Sequence, residues 1–347
     1  MRIEALIVGQ GLAGTALAWE LRRRGISFLI VDPAAPTGCS RAAAGILTPL
    51  AGQRLAPSWR LEEALPLARQ TYDEVAQVTG QQHFTALPVL RWLLNPIEKE
   101  RWVVRRQDPA VIPYLLEDPA GEESWMQVPP HGAVLLGGGG YLDTAAYLEA
   151  SQAIFHREAA WQQGVVDPQD LHWEQSKVRW REVEARFVLF AQGWKGASNP
   201  LFDWVPFNSA KGEILDLESQ SFGHRSILSA GKWLLPLGLG RFRAGSTYTH
   251  GPLDESPTEE GKTEILDHLS SMVQDKPTVV NHRAGIRPVI RGQLAVIGRH
   301  PGRPQVAFLN GLRSKGVLLA PLLAKLLVDH LWEGALLPRE VDLAGNF

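Results

Sequence analysis

The sequence predicts an α/β protein with two domains, one built on a parallel sheet covered by helices and the other on an antiparallel sheet. Residues 4–33 read as an apolar strand, a glycine-rich turn, a helix and a second apolar strand, which together make a βαβ unit. Residues 208–251 instead alternate short strands with turns, as antiparallel sheets do. With 347 residues, 45% of them hydrophobic, the chain is long enough to bury two cores.

The charge and cysteine content exclude several classes of protein. Lysine and arginine number 35 against 37 aspartates and glutamates, which gives a net charge of −2. A protein with this charge has no overall positive potential that would attract a polyanion, so a nucleic-acid partner is not expected. Cys39 is the single cysteine, which excludes an intramolecular disulfide and a cysteine-based metal site. No metal is therefore predicted, and a reducing, cytoplasmic location is favoured.

The two ends of the chain indicate neither export nor a membrane span. The first strand follows the initiating methionine almost at once, without the charged region, apolar stretch and cleavage site of a secretory signal. The longest apolar run, residues 316–332, is interrupted by Pro321, Lys325 and Asp329, so it predicts a buried helix.

The glycine-rich turn of the βαβ unit has the spacing of a dinucleotide-binding motif. Gly9 permits the tight turn, Gly11 lets a phosphate approach the backbone, and Gly14 lets the helix pack on the strand. The free amides at the helix start, at Leu12 and Ala13, then face a pyrophosphate.

An acidic residue closes the second strand of this unit. Asp32 stands about 20 residues past the glycines, where a carboxylate accepts hydrogen bonds from an adenosine ribose. Such a residue disfavours the extra phosphate of NADP, but the motif alone fits NAD and FAD equally.

Residues 38–52 are small and nearly uncharged, which is typical either of a helix packed close to the sheet or of a cofactor-binding segment. On the second interpretation Ser40 and Arg41 contact the diphosphate of the cofactor. The small residues that follow, Ala42, Ala43 and Gly45, then let a flat ring lie close to the backbone. Cys39 is interpreted as a buried filler, because it has no partner thiol and no neighbour that marks it as a reactive thiolate.

This segment resembles the one that follows the first βαβ unit in the D-amino acid oxidase superfamily of flavoproteins, in particular glycine oxidase and its relatives. The resemblance extends over nearly the whole chain, because the later motifs also occur in the family's order. It implies FAD as the cofactor, with the backbone at Val165 and Val166 near the adenine and with the segment from Ala191 to Gly193 close to the cofactor. It also implies an FAD-binding domain of residues 1–75, 141–204 and 286–347 and a substrate domain of residues 76–140 and 205–285.

Residues 284–298 resemble the part of the family in which a Gly-x-Arg-Pro turn precedes a strand ending in Ile-Gly. In that family the arginine fixes the carboxylate of the substrate, and the matching residue here is Arg287. A planar guanidinium can grip a carboxylate with two parallel hydrogen bonds and so orient the α-carbon over a flat ring. Without the flanking pattern, an arginine paired with a surface acid would be the simpler interpretation.

The segment NGLRSKGVLLAP resembles the last cofactor motif of the superfamily, in which a glycine turn feeds a helix pointing at the pyrimidine ring of the flavin. A helix start there stabilises the negative charge of reduced flavin. Lys315 takes the place of a cation near the flavin, and Arg313 is interpreted as a second substrate contact or as a surface charge. Tyr248 is a further candidate for the substrate site. The residues expected at the cofactor in this motif are Gly311, Leu312, Ser314, Lys315, Gly316 and Val317.

These expectations combine into FAD-dependent oxidation of the C–N bond of an amino acid or N-substituted amino acid, such as glycine, a D-amino acid or sarcosine. Hydride passes to the flavin N5, water hydrolyses the imine, and oxygen or a quinone accepts the electrons. The segment before Pro321 also resembles the oxidase half of the bifunctional enzyme that modifies a wobble uridine in tRNA.

Three alternatives remain open at this point: a stand-alone tRNA-modifying oxidase that removes a carboxymethyl group, a flavin-binding protein without turnover, and an NAD-dependent dehydrogenase. The near-neutral charge argues against the first, because a grip on tRNA depends on neutralising phosphates. No local motif indicates the substrate side chain or the oligomeric state.

Overall fold

The computed structural model describes residues 1–52, 54–117, 124–223, 225–292 and 294–346. The helices are α1 (Leu12–Arg23), α2 (Cys39–Ala42), α3 (Leu61–Thr79), α4 (Pro96–Arg105), α5 (Thr144–Arg157), α6 (Glu259–Ser270), α7 (Gly316–Val328) and α8 (Leu343–Asn346). Short 3₁₀ turns span Ile112–Tyr114, Pro168–Asp170 and Gly193–Ser198, and a π turn, Asp329–Glu333, extends α7.

The strands fall into two large and two small sheets. In chain order they are β1 (Arg2–Val8), β2 (Phe28–Asp32), β3 (Ile46–Leu47), β4 (Leu50–Ala51), β5 (Ala56–Pro57), β6 (Phe84–Ala86), β7 (Val89–Trp92), β8 (Ala133–Leu136), β9 (Gly140–Leu142), β10 (Trp161–Gln163), β11 (His172–Trp173), β12 (Val178–Trp180), β13 (Val183–Phe190), β14 (Ala210–Glu218), β15 (Ile227–Ala230), β16 (Lys232–Gly238), β17 (Arg241–Gly245), β18 (Thr278–Arg287), β19 (Val296–His300) and β20 (Arg303–Asn310).

The first sheet contains the predicted βαβ unit. Strands β10, β2, β1, β13 and β20 lie side by side and parallel, and β19 adds an antiparallel strand beyond β20. In β1, Ala5 and Ile7 belong to the core that packs under α1, α5 and α7, whereas Leu6 and Val8 belong to the core on the opposite face. This alternation follows from the two-residue period of a strand, so the sheet is buried on both faces.

The second sheet confirms the predicted antiparallel part of the fold. Its seven strands run in the order β18, β14, β17, β16, β15, β7 and β8, and all neighbours except β15 and β7 are antiparallel. It takes β7 and β8 from residues 76–140 and β14 to β17 from residues 205–285, while β18 ends at Arg287. The exact division of the chain into two domains stays a prediction.

Helix α7 contains a proline whose missing N–H is replaced by a tyrosine hydroxyl. Pro321 lies inside the helix and cannot donate a hydrogen bond to the carbonyl four residues earlier, that of Val317. The hydroxyl of Tyr72, a buried residue of α3, donates to that carbonyl oxygen at 2.6 Å. Helix α3 therefore satisfies a backbone group that α7 cannot satisfy itself and fixes the position of its first turn.

Replacing Tyr72 with phenylalanine is expected to lower the free energy of unfolding by about 1 to 3 kcal/mol, because the Val317 carbonyl stays buried without its donor. Denaturant unfolding followed by circular dichroism measures the change. Adding Pro321→Ala to the Tyr72→Phe variant supplies a backbone N–H at position 321 and should restore most of the loss. A double variant less stable than Tyr72→Phe alone would contradict the assignment.

Candidate active site

A cavity of about 460 Å³ lies where the carboxyl ends of the parallel strands face the second sheet. Ligands of open α/β sheets bind at this edge. Most of the residues predicted to form the site line it: Gly9, Gly11, Leu12, Ala13, Asp32, Ser40, Arg41, Ala42, Ala43, Gly45, Val166, Ala191, Gly193, Arg287, Leu312, Arg313, Ser314, Gly316 and Val317. Four predicted residues lie outside the lining: Gly14, Tyr248, Gly311 and Lys315.

The glycine-rich turn has the close backbone approaches that require glycine. Gly9 has a φ of +103°, and a Cβ there would lie 2.7 Å from the Ala191 oxygen. A Cβ on Gly14 would lie 1.8 Å from the Gly9 oxygen, so Gly14 supports the turn from behind without facing the cavity. These contacts hold the start of α1 against the carboxyl end of β13.

The first amides of α1 open onto the cavity beside a serine hydroxyl. The Leu12 N–H donates to the Ser40 Oγ at 3.1 Å, and no side chain caps the helix at Gly11. Because the hydroxyl accepts from the helix, its own proton is free to be donated to an anion in the cavity. The turn therefore presents a positive helix end and an O–H donor to the same point.

The carboxylate of Asp32 is held rigidly at one end of the cavity. One oxygen accepts the Gln10 N–H at 2.7 Å, and the other accepts the Ala34 N–H at 2.8 Å. Each carboxylate oxygen can accept a second hydrogen bond, so the group can also receive two neighbouring hydroxyls. The contact of Asp32 with an adenosine ribose, expected from its distance to the glycines, stays a prediction.

The segment around α2 brings backbone close to the cavity floor. Gly45 has a φ of +72°, and a Cβ there would lie 1.8 Å from the Leu142 oxygen. The Arg41 guanidinium lines the cavity but is paired with Glu149 at 2.9 Å. Burial raises the pKa of the Cys39 thiol to about 11, so Cys39 is a neutral thiol at physiological pH. It is half-buried and lines the cavity, and its interpretation as a filler stays a prediction.

Arg287 ends β18 with its guanidinium in the cavity wall. Its Nη1 donates to the Thr247 oxygen at 3.2 Å, its Nη2 donates to the Ser246 Oγ at 2.7 Å, and it lies 5.3 Å from the centre of the Tyr248 ring. The guanidinium also lies over Gly212, where a Cβ would come within 2.0 to 2.2 Å of it. All these partners are neutral, and burial lowers the pKa of the group.

Tyr248 contributes to the site indirectly. Its side chain is 53% exposed and lies outside the cavity lining, but its ring covers the Arg287 guanidinium by a cation–π contact. The structure thus brings Tyr248 to Arg287 and not to the cavity itself.

Arg313 and Lys315, which adjoin in sequence, point in different directions. Arg313 has a φ of +51° and lines the cavity, and its Nη2 donates to the Ile290 oxygen at 2.9 Å. Lys315 is turned away from the cavity, and its Nζ donates to the Ser58 Oγ at 3.0 Å. Burial lowers the pKa of Lys315 to about 8, and its role at the cofactor stays a prediction.

Several lining residues were not predicted from the sequence. On the side of the second sheet they are Gly212, Ile214, Trp233, Ser246 and Glu255, and on the side of the first sheet they include Gln10, Trp194, Lys195 and Asn310. Gln10 and Asn310 each adjoin a predicted glycine motif, which could have indicated them. Glu255 lies in a loop without any motif and could be found only from the fold.

The glycine-rich turn, the Asp32 carboxylate and the cavity at the carboxyl ends of the parallel strands are the features of a dinucleotide-binding protein. The chain belongs to the FAD dependent oxidoreductase family, whose model matches residues 4–330. Its cofactor is FAD, which confirms the resemblance drawn from the sequence. An NAD-dependent dehydrogenase and a flavin protein without turnover are no longer alternatives, because the chain is an FAD-dependent oxidoreductase related to glycine oxidase.

Individual relatives agree with this assignment. The glycine oxidase of Pseudomonas aeruginosa is 26% identical over 95% of this chain and 94% of its own. The bifunctional tRNA 5-methylaminomethyl-2-thiouridine biosynthesis protein of Maricaulis maris is 27% identical over 98% of this chain, which spans 54% of that longer protein. The solved glycine oxidase of Geobacillus kaustophilus has the same fold, with a TM-score of 0.81 and 22% identity over 97% of this chain and 96% of that one.

Within the described ranges, no helix has both the length and the apolar character that crossing a membrane requires.

The depressed pKa of Lys315 predicts a pH-dependent stability. The ordinary lysine pKa is 10.5, so between about pH 8 and pH 10.5 the unfolded chain binds more protons than the folded chain. The free energy of unfolding contributed by this group is lowest below pH 8 and rises with pH across that window. Lys315→Met should be more stable than the wild type at pH 7 by roughly 1 to 2 kcal/mol, and the difference should shrink towards pH 10.

Thermal unfolding of both holoenzymes between pH 7 and pH 10 measures this difference. Lys276→Met, which replaces an exposed lysine, is the matched control and should show no such trend. A constant difference between Lys315→Met and the wild type would contradict the assigned pKa.

Proposed function

We propose that the protein oxidises the C–N bond of a small amino acid or N-substituted amino acid, such as glycine, a D-amino acid or sarcosine. The observation that carries the proposal is Arg287, a cation in the cavity wall whose partners are all neutral. A substrate carboxylate would supply the missing anion and bind with two parallel hydrogen bonds. FAD, when bound, accepts a hydride from the carbon that carries the amine.

The residues present fit FAD. We propose that the starts of α1 and α7 hold its negatively charged parts, the diphosphate at Gly11 and Leu12 and the pyrimidine ring at Gly316 and Val317. Gly45 lines the cavity, and because it has no Cβ its segment can pack directly against the Leu142 backbone. We propose that the flat ring of FAD lies against this segment. We propose that the other predicted cofactor residues that line the cavity also contact FAD.

The residues of this chain bind and orient the substrate. Ser246 and Thr247 hold the guanidinium of Arg287 in one plane, and Gly212 leaves the space in which it lies flat. The apolar wall of Ile214 and Trp233 keeps water away from this part of the cavity. No general base is assigned, because an amine that binds in its neutral form can give up a hydride directly, and the proton of its ammonium form is lost to water before binding.

Anaerobic reduction of the flavin by a panel of glycine, sarcosine, D-alanine and L-alanine tests the proposal. Loss of the yellow absorbance with at least one of them is the expected result. A panel that leaves the oxidised spectrum unchanged would overturn it. We propose that oxygen or a quinone accepts the electrons and that the protein acts in the cytoplasm. Reoxidation of the reduced flavin by oxygen or by a soluble quinone, measured separately, identifies the acceptor.

A second candidate is removal of a carboxymethyl group from a modified uridine in tRNA. The match to the bifunctional tRNA enzyme over 98% of this chain favours it. The net charge of −2 weighs against it, because a tRNA grip requires a positive surface. Flavin reduction by carboxymethylaminomethyl-modified tRNA, with unmodified tRNA as the control, separates the two candidates.

Arg287→Ala is expected to weaken capture of the substrate by about 2 to 5 kcal/mol, seen as a fall in kcat/KM, because the carboxylate loses its partner. Arg287→Lys should recover only part of the loss, since an ammonium does not form the planar pair. The flavin content should stay at the wild-type level in both variants. Unchanged kinetics on the best substrate would overturn the role of Arg287.

Gly212→Ala is expected to act like a loss of Arg287 although it leaves the arginine in place. The added methyl group would lie about 2 Å from the guanidinium and must displace it from its plane. We expect kcat/KM to fall at least tenfold, corresponding to about 1.4 kcal/mol, with unchanged flavin content. Gly251→Ala, in an open loop of the same domain, is the control, because a Cβ there meets no neighbour.

A further inference from the structure

The cavity contains an acid, Glu255, that has no partner among the residues that the structure describes. Glu255 lies in the loop between β17 and α6 and lines the cavity on the side of the second sheet. In the part of the chain that the structure describes, no hydrogen bond or ion pair engages its carboxylate. Its neighbour Asp254, in contrast, is held by the Lys211 Nζ at 2.8 Å and by the Ser256 N–H at 2.9 Å.

Glu255 and Arg287 face the same part of the cavity without neutralising each other. Both charges act on the Cys39 thiol, since Arg287 lowers its pKa and Glu255 raises it. The Arg287 guanidinium bonds to Ser246 and Thr247 instead of Glu255. The cavity wall therefore carries a cation and an anion that are both available to a ligand.

We propose that Glu255 selects the substrate by charge: it favours amino acids that carry a second cationic group and rejects those that carry a second carboxylate. This inference rests on the proposed function and on Arg287 as the carboxylate anchor. A cationic group placed at Glu255 gains a charge-assisted hydrogen bond, and a carboxylate placed there meets a like charge. The positive charges of Arg287 and Arg313 would otherwise favour dicarboxylates, so Glu255 reverses the preference of the site.

Three substrates of similar length and different side-chain charge test this inference: D-ornithine, D-glutamine and D-glutamate. A second series without a chiral centre consists of N-(2-aminoethyl)glycine, N-(carbamoylmethyl)glycine and iminodiacetate. The rate of anaerobic flavin reduction is measured for the holoenzyme at several concentrations of each compound, which gives kcat/KM for the reductive step.

The wild type should prefer the cationic member of the series and turn over the dicarboxylate least. Glu255→Gln should lower kcat/KM for the cationic compound about tenfold, the effect of one partly exposed charged hydrogen bond. It should raise the value for the dicarboxylate and change that for the neutral compound less than about twofold. Glu255→Lys should invert the order of preference.

Glu260→Gln makes the same chemical change on the exposed face of α6, outside the cavity lining, and should leave all values unchanged. A wild type that prefers the neutral or the dicarboxylate member overturns the role of Glu255. So does a Glu255→Gln variant that changes all three members by one factor. If no amine of any charge reduces the flavin, the proposed function itself is wrong. If all three compounds reduce it equally well, only the role of Glu255 is wrong.

Discussion

The contact between the first turns of α1 and α7 determines the architecture of the site. A Cβ on Gly316 would lie 2.9 Å from the Leu12 Cδ1, so a larger residue there would push the Leu12 side chain out of its position between the two helix starts. Each helix start carries the equivalent of about half a positive charge, and here both open onto one cavity. FAD carries negative charge on its diphosphate, and its ring gains negative charge on reduction. On the proposed placement of FAD, the α1 start would face the diphosphate and the α7 start would face the ring.

The second sheet places the positive charge of Arg287 in the cavity wall, and no described residue supplies a counterion for it. Arg287 is oriented by a hydroxyl, a carbonyl, an aromatic ring and the open Cα of Gly212, and none of these cancels its charge. Cys39, one nearby titratable group, stays neutral because its pKa is raised to about 11, and Glu255, the other, makes no bond to the guanidinium. Desolvating an unpaired cation costs free energy, and a bound carboxylate recovers part of it. On the proposed function, Arg287 is therefore ready to bind the carboxylate of the substrate before the substrate arrives.

The sequence predicts those parts of the protein that depend on local pattern. The βαβ unit, the close approaches at Gly9 and Gly14 and the carboxylate of Asp32 follow from spacing within about 30 residues, because strand, turn and helix are adjacent in the chain. The resemblance of residues 284–298 to the family implies the substrate role of Arg287, which lies in the cavity wall, and that role stays a prediction. The orientation of Lys315 could not be predicted, since its partner Ser58 is 257 residues away. Glu255 was missed for the same reason: its loop meets the cavity only through the pairing of β14, β17 and β18.

The dependence of the site on distant packing extends to the position of α7 itself. Pro321 removes one hydrogen bond from the first turns of this helix, and a helix weakened there would let Gly316 and Val317 move away from α1. Tyr72 restores the bond from α3, and Lys315 ties the same turn to Ser58 from another side. Neither Tyr72 nor Ser58 lines the cavity, so these two hydrogen bonds leave the first amides of α7 free on the side that faces the ligand. Holding the helix start rigidly while leaving its donors unpaired is what electrostatic preorganisation requires.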